Sequence, residues 1–459
     1  MKKNRFLPVT GLLLISALLG NIKIFPQEAN IEKPDYKARR DKLCSLIPDG
    51  VAIIINSPTA SVDFGLPRPN EDFFYLTGVD VPDAKLILVP EKVAKKCANP
   101  EYWKTTLYLP SRDWRKGVWD DPQLFPGEEA EKETGIENTA DLSTFYTAVS
   151  RLSNITDVVY CPLATRLTAA QNLTPESQFV QSLEHLLPGA RIKDLSLVLG
   201  DLRWAKTPKE IDIMKKACAI TLQAYQEAAR IAQPGVYEYE IEAMVKYIFR
   251  KNGSQGAAFT IIGSGPNSCI LHHSLNNRLM KEGDLVVIDI GTIYKAITTD
   301  LTRTIPVSGS FSPEQKKIYG IVLDAQKKAI SMVRPGITLA ELHQAAFDVI
   351  ANAGYGKYFI HFLSHTLNGG LPNKPGSLGL STKWVANATN LVADKPLLPG
   401  SMLTIEPGIY IPEKNLGIRI EDDILVTQKG YEILTKDAPK EIEEIEKLMK
   451  EKPVHIKYF

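Results

Sequence analysis

The sequence predicts an α/β domain over residues 36–197 followed by an α+β domain over residues 200–445, with a tail over 446–459. Two observations carry this. Up to about residue 197, short apolar runs alternate with helical stretches, the order that builds a sheet with helices between its strands. From about residue 200 the helices come first and are long, and paired strands follow, which describes helices covering an antiparallel sheet. With 459 residues, 44% hydrophobic and 23% charged, the chain is long enough for more than one core of ordinary globular composition.

The N-terminal stretch "MKKNRFLPVTGLLLISALLG" sets Lys2, Lys3 and Arg5 before a short apolar run from Phe6 to Leu19. That run is too short and isolated for a membrane span and fits a secretory signal within residues 1–29, processed near Gly20 or near Ala29. It predicts an exported protein, periplasmic or secreted, and a membrane-anchored one if the signal stays uncleaved. "DYKARRDKLCSLIPDG" then reads as a charged helix stopped by a Pro-Asp-Gly turn. "VAIIIN", "AKLILVP", "TTLYLP" and "VVYCPL" read as buried strands, with "EEAEKETG" as a helix between them. "LPSRDWRKGVWDD" reads as a surface loop of this domain.

The second domain opens on a long amphipathic helix that starts at Thr207 or Lys209 and stops at Pro234-Gly235. Its expected apolar stripe is Ile211, Met214, Ala217, Ala219, Leu222 and Ala229. "YEIEAMVKYIFRKNGS" repeats the pattern, with Gly253 ending it, and "PEQKKIYGIVLDAQKKAISMV" and "TLAELHQAAFDVIANAG" are further helices. The strands are "AAFTIIGSG", "DLVVIDIG", "TRTIPVSG", "MLTIEPGIYI", "GIRIEDDILVT" and "GYEILT".

Bulk properties exclude some functions. A formal charge of +1 gives no basic field for nucleic acid. The five cysteines, Cys44, Cys97, Cys161, Cys218 and Cys269, are odd in number and lack CxxC spacing, which argues against a disulfide framework. Sequons at Asn154, Asn172 and Asn387 matter only in a eukaryotic secretory host.

Two hairpins point to chemistry. In "DLVVIDIGTIYKAITTDLTRT" a turn at Tyr294-Lys295 would put Asp289 directly opposite Asp300, with Cβ atoms roughly 5 Å apart. In "TIEPGIYIPEKNLGIRIED" a turn at Glu413-Lys414 would put Glu406 opposite Glu421 in the same way. Buried like charges repel, and each unpaired carboxylate there is costly. Neither hairpin has a lysine or arginine on the matching face, apart from Arg419 two residues from Glu421. Two divalent cations would balance four carboxylates, and a neutral histidine could join them. Oxygen-rich ligation with one imidazole suits Mn²⁺, Co²⁺, Fe²⁺ or Zn²⁺. The bland alternative is partly exposed strand carboxylates. The histidines of "FIHFLSH", His361 and His365, lack the inner glutamate of HExxH.

These segments resemble the pita-bread-fold metallopeptidase family, and within it the aminopeptidase P (Xaa-Pro aminopeptidase) branch most. The resemblance rests on "VVIDIG", "TTDLTRT", "FIHFLSH", "PGSMLTIEPGIYI", "GIRIEDDILVT" and "GSGPNSCILHH", and on "NEDFFYLTGVDVPDA" in the first domain. It covers about residues 36–445. It implies an N-terminal domain of creatinase/prolidase type and a pita-bread catalytic domain. Carried over by residue, the metal ligands would be Asp289, Asp300, His365, Glu406 and Glu421. Asp289 would clamp one ion, Asp300 and Glu421 would bridge both, and His365 and Glu406 would complete the other. Glu406 would also shuttle a proton to the leaving amine, and His272 and His361 would contact the substrate. Thr302, on Asp300's side of the strand, would partner Asp300, Arg419 would orient the carboxylates or a substrate terminus, and His273 would line the pocket. His185, His343 and His455 are read as surface or structural histidines.

The resemblance further implies hydrolysis of the N-terminal Xaa-Pro bond through a metal-bridged hydroxide. It points to two divalent ions, manganese first with cobalt or zinc as alternatives, to peptide substrates with proline second, and to a homodimer or tetramer. A prolidase-type dipeptidase is the alternative within the fold. One departure stands out: the family pattern continues H-x-L-G-x-x-x-H-D, whereas here Asn368 replaces the glycine, Pro372 the second histidine and Asn373 the aspartate. A displaced Asn368 or Asn373 could substitute for the lost imidazole; failing that, the protein would be a weakly active, metal-retaining binding protein.

Overall fold

A computed structural model describes residues 30–57, 70–112, 123–163, 175–368 and 393–454. The signal-like segment, the tip of the "LPSRDWRKGVWDD" loop, Asn172, Asn387, Pro372, Asn373 and His455 lie outside the described residues. Asn154 is exposed. Among the described residues no helix is long and apolar enough to cross a membrane. All five cysteines are free and are buried or half-buried.

The first domain orders α1 (Lys33–Leu46), β1 (Val51–Ile55), α2 (Glu71–Thr77), β2 (Lys85–Leu88), α3 (Glu91–Ala94), β3 (Thr106–Leu109), α4 (Glu128–Thr134), β4 (Thr139–Asp141), α5 (Phe145–Arg151), β5 (Val158–Cys161), α6 (Pro175–Leu186), β6 (Arg191–Asp194) and α7 (Ser196–Trp204). Its six strands form one mixed sheet in the order β4-β3-β2-β1-β5-β6. Alternation sends Ala52, Ile54, Leu86 and Leu88 into one core with Leu43 and Phe73. It sends Val51, Ile53 and Ile87 into another with Phe145 and Leu183. The strands read from the sequence are β1, β2, β3 and β5. The edge strands β4 ("TAD") and β6 ("RIKD") have no fully buried residue, so they leave no apolar run to read.

The second domain adds α8 (Pro208–Ile231), α9 (Glu238–Lys251), β7 (Gly256–Ser264), β8 (Leu285–Tyr294), β9 (Ile297–Thr298), β10 (Leu301–Pro306), α10 (Pro313–Met332), α11 (Leu339–Asn352), β11 (Met402–Ile405), β12 (Gly408–Ile411), β13 (Leu416–Arg419), β14 (Asp422–Val426), β15 (Tyr431–Ile433) and α12 (Ile442–Leu448). Thr207 caps α8 in a capping box with Glu210, and Pro208 takes the first turn. The buried face of α8 is Ile213, Met214, Ala217, Ile220, Ala224 and Ala228. It is rotated from the expected stripe: Ala219 is exposed and Ile211 and Leu222 are half-buried, because Thr221 and Tyr225 also face inward. Polar side chains on the inner face hid the true stripe.

Two corrections concern the hairpins. The first turns one residue later than expected, at Lys295-Ala296, both with positive φ of 50° and 61°. Tyr294 stays in the strand because its side chain is buried, 6% exposed. Asp289 therefore faces Thr302, not Asp300. Asp300 sits diagonally on the same side, since a two-residue slip preserves the face. The ladder is interrupted at Thr299-Asp300, between β9 and β10. Gly291 makes room for that dip, because a Cβ there would collide with the Thr299 carbonyl and the Phe259 ring.

The second hairpin keeps the expected register on both sides of the glutamates. Gly408 pairs with Arg419 and Ile405 with Asp422, so Glu406 and Glu421 fall opposite each other. However, each long strand read from the sequence is two strands. The ladder opens at Glu406-Pro407 and Ile420-Glu421, where Pro407 has no N–H to donate.

The domains meet at α1 and α8, where Arg39 donates to Glu210 and Lys209 to Asp35, both at 2.8 Å. Beside this junction Arg203 of α7 donates to Asp72 at 2.8 Å and Glu71 at 2.9 Å within the first domain. Lys206, between α7 and α8, is buried, 8% exposed.

Candidate active site

Each candidate ligand except Asp289 sits where a ladder breaks, so its backbone groups find partners elsewhere. The Asp300 N–H donates to Asp423 Oδ2 at 3.1 Å. Residues 363–367 run beside β11: the Glu406 N–H donates to the Leu363 carbonyl and the Thr404 N–H to the His365 carbonyl, both at 2.9 Å. The Glu421 N–H donates to the Thr302 carbonyl at 3.0 Å and so ties the second hairpin to the first. Strand interruptions of this sort re-aim side chains without giving up backbone hydrogen bonds.

The side chains converge. His365 Nε2 lies 3.2 Å from Asp300 Oδ2 and 3.4 Å from Glu406 Oε1. Ligand atoms of Asp300, His365 and Glu421 all fall within 4.8 Å of one another. Thr302 Oγ1 donates to Glu421 Oε2 at 2.6 Å, the support expected of it but given to Glu421. Arg419 spans the floor: its guanidinium donates to Asp289 Oδ2, to Thr302 Oγ1 at 3.2 Å and to the Tyr410 hydroxyl at 2.9 Å. The hairpins thus hold one counter-charge, Arg419, set on Asp289.

Apart from Arg419, His365 beside Asp300 and Glu406 sets a positive group against the described carboxylates. Burial and the repulsion of Glu421 push Asp300 well above the usual carboxylate range, and burial and the repulsion of Glu406 do the same to Glu421. Burial also raises Glu406. Burial opposes charge on His365, yet its bond to Asp300 and the charge of Glu406 raise it to about 9. One oxygen on each of Asp289, Asp300 and Glu421 is buried with no hydrogen-bond partner. His365 Nδ1 faces the Thr366 carbonyl at 3.3 Å, which puts its proton there and turns Nε2 to the carboxylates. At a pKa of about 9 the imidazole is protonated and Nε2 donates to Asp300; a divalent cation would displace that proton, and partnerless carboxylate oxygens beside such an imidazole are the donor set of a cation site, which these residues fit.

His361 stands half-buried beside this centre. Its Nδ1 donates to the Phe362 carbonyl at 2.9 Å, so its Nε2 accepts from the Tyr410 hydroxyl at 3.0 Å. Burial and nearby Arg419 push it down to about 3, so it is neutral in use. His272 is exposed on its loop. His273, expected to line the pocket, is buried instead: its Nε2 lies 3.1 Å from Glu238 Oε2 and 3.2 Å from Asn267 Nδ2. Glu238 lies under that loop and also takes the N–H groups of Ser264 and Arg278, and this buried acceptor drew the second imidazole inward. Asn368 does not stand in for the missing histidine. It adopts φ 53° and spends its side chain on Thr298, accepting from N at 2.6 Å and donating to O at 2.7 Å.

Sequence reasoning missed Tyr410, which links His361 to Arg419. The signal was present, since the register that pairs Glu406 with Glu421 also sets Tyr410 diagonal to Arg419. It also missed the buried layer behind the centre. There Arg303 donates to Asp422 at 2.7 Å and to the Ala438 carbonyl, and Asp423 holds the Asp300 amide.

The two domains and the carboxylate centre define a metallopeptidase of the pita-bread fold. The profile of metallopeptidase family M24 matches residues 212–428, and that of the aminopeptidase P N-terminal domain matches residues 36–160. The chain is 32% identical over 455 residues to the Xaa-Pro aminopeptidase of Escherichia coli, spanning 92% of this chain and 98% of that protein. It is 34% identical over 380 residues to the Xaa-Pro dipeptidase of Pyrococcus horikoshii, spanning 82% and 93%. The solved structure of E. coli aminopeptidase P with the inhibitor Pro-Leu superposes with a TM-score of 0.78 at 30% identity, over 92% of this chain and 98% of that one. The zinc-substituted E. coli enzyme with product gives 0.77 at the same identity. The chain belongs to metallopeptidase family M24 and is of the aminopeptidase P type, a family that works with divalent metal ions.

Proposed function

We propose that this protein is a metal-dependent aminopeptidase that removes the N-terminal residue from peptides with proline in second position. The observation that carries the reading is the set of partnerless buried oxygens on Asp289, Asp300 and Glu421 around His365, in a chain matched along nearly all its length by Xaa-Pro aminopeptidases.

Asp289, Asp300, His365, Glu406 and Glu421 would hold two divalent ions, with manganese the first choice and cobalt or zinc the alternatives. Such ions supply Lewis acidity at the scissile carbonyl and make a water acidic enough to act near neutral pH. The chain's own residues do the rest. Glu406, with a raised pKa, is suited to take a proton and return it to the leaving amine. Thr404 Oγ1, 3.2 Å from Glu406 Oε1, orients that carboxyl. His361 offers a neutral imidazole whose tautomer is set by Phe362 and Tyr410, and His272 offers a second on the substrate side. Arg419 holds Asp289 and the Tyr410 hydroxyl in place. The signal-like N-terminus supports export, and the family resemblance suggests a homodimer or tetramer.

The test loads purified protein with Mn²⁺, Co²⁺ or Zn²⁺ and offers Ala-Pro-Ala, Ala-Pro and Ala-Ala-Ala. Cleavage of Ala-Pro-Ala is expected. Cleavage of Ala-Pro alone would assign a dipeptidase. Retention of two ions with no cleavage at all would replace the peptidase by a metal-retaining binding protein.

A further inference from the structure

Between Phe359 and Leu367 the chain carries His361 and His365 with almost no regular structure, a single bridge from Thr366 to Leu403 excepted. Such a segment keeps its shape only if its backbone groups find specific partners. Going along it, the Leu367 N–H donates to the Met402 carbonyl at 3.0 Å and the His365 N–H to Thr404 Oγ1 at 3.1 Å. The Leu363 N–H donates to Nδ1 of His343 on α11, at 3.2 Å. Leu363 is 0% exposed, so its amide has no water to turn to. Its carbonyl accepts from the Glu406 N–H. The Leu363 peptide is therefore clamped at both ends, by His343 on one side and by the backbone of Glu406 on the other.

The same imidazole is held in an aromatic stack. It lies parallel to Phe362, with centroids 4.6 Å apart and planes at 19°. Phe359 sits 5.4 Å from His343 and meets the His361 ring edge-on at 5.3 Å. Because the Leu363 N–H donates to Nδ1, the ring's proton is on Nε2 and the acceptor is the neutral form. His343 thus touches Phe359 and Phe362, which flank His361, and the amide midway to His365, while no hydrogen bond joins it to either histidine.

We propose that His343 is a positioning residue for the hydrolysis: its Nδ1 fixes the Leu363 peptide, and through it the placement of His361 against His365 and Glu406. The proposal rests on the aminopeptidase reading only for its kinetic half. Two variants separate acceptor from stack. His343→Phe keeps a ring against Phe362 and removes the acceptor. His343→Asn removes the ring and keeps an acceptor close to the Nδ1 position. The full-length, manganese-loaded proteins are compared by hydrogen exchange across residues 359–368 and by kcat and KM for Ala-Pro-Ala.

In His343→Phe, the Leu363 amide is expected to exchange about tenfold faster or more, the scale of one lost buried hydrogen bond. Its kcat is expected to fall about tenfold with KM changed less than about threefold, the split of a group acting on transition-state geometry. His343→Asn is expected to bring both quantities back to within about threefold of the parent. A purely structural ring predicts the opposite order, with phenylalanine the milder change. Parent-like exchange at Leu363 in His343→Phe, or an asparagine variant no better than the phenylalanine one, overturns the proposal. A parent protein that cleaves nothing counts against the peptidase reading, and the exchange comparison still decides the role of His343.

Discussion

Asn368 takes the place of the glycine in the family pattern, and its φ of 53° gives the reason that position is restricted. Asparagine is among the few side chains that enter the left-handed region readily. Here it also pairs with both backbone groups of Thr298, as a neighbouring strand would. Asn368→Ala is expected to cost about 2–3 kcal/mol, the sum of left-handed strain and two lost hydrogen bonds. Asn368→Gly should cost less, since it keeps the conformation; urea unfolding of the two variants checks the order, and equal losses would remove the conformational argument. The candidate ligands make a second residue-scale prediction. Asp300→Ala or Glu421→Ala should lose at least one bound ion, measured as metal per chain after dialysis. Unchanged stoichiometry in both would sink the assignment. The sequence showed that Asn368 departs from the pattern but not where its side chain goes, because its partner, the Thr298 backbone, is 70 positions away in the chain.

At the scale of elements, the hairpin between β8 and β10 turns on two non-glycine residues with positive φ, Lys295 and Ala296. Two-residue hairpins of this kind favour Asn-Gly. Replacing Lys295-Ala296 by Asn-Gly is expected to stabilise the domain by about 1 kcal/mol, from relief of left-handed strain. Thermal unfolding of the double variant is the check, and a lowered midpoint would show that Lys295 or Ala296 makes a contact worth more than the strain. The same absence of Asn-Gly explains why the turn was misplaced by one residue: nothing in "GTIYKAITT" marks it. In the second hairpin Pro412 and Asn415, the latter with φ 51°, mark the turn, and that register was legible. Even there the opening of the ladder at Glu406 and Glu421 was not, because strand patterning reports which face a residue takes and not which neighbour its backbone chooses.

For the whole molecule, the alternation of strands and helices and the late carboxylate hairpins were enough to give both domains and four candidate carboxylates, while His365 joined them only through the resemblance to the family. The counter-charges were harder. Arg419 was seen beside Glu421 but acts on Asp289, across the two hairpins. The domain interface was not legible, since nothing in the sequence marks Arg39, Lys206 or Glu210 as lying at a junction. Lys206 makes a testable case. Burial, with repulsion from Arg203, pushes it from 10.5 down to about 7. Its folded pKa is depressed, so its contribution to stability is full above pH 10.5 and declines as pH falls toward 7. Lys206→Met removes that penalty. The variant should gain on the parent at pH 7 and gain less at pH 9, by about 1.4 kcal/mol per pH unit. A gap that does not change with pH, in urea unfolding at both values, would mean the ammonium is solvated.

The tie from the Glu421 amide to the Thr302 carbonyl has a consequence for how the protein is made. Thr302 and Glu421 are 119 positions apart. A chain emerging from the ribosome as far as β10 already displays Asp289 and Asp300, yet nothing at that stage brings a glutamate or His365 to them. The centre closes only when Glu421 and β14 arrive, 119 positions after Thr302. Chains that stop before Glu421 are therefore silent, and their neighbours are exposed to a working protease only once that residue has been added.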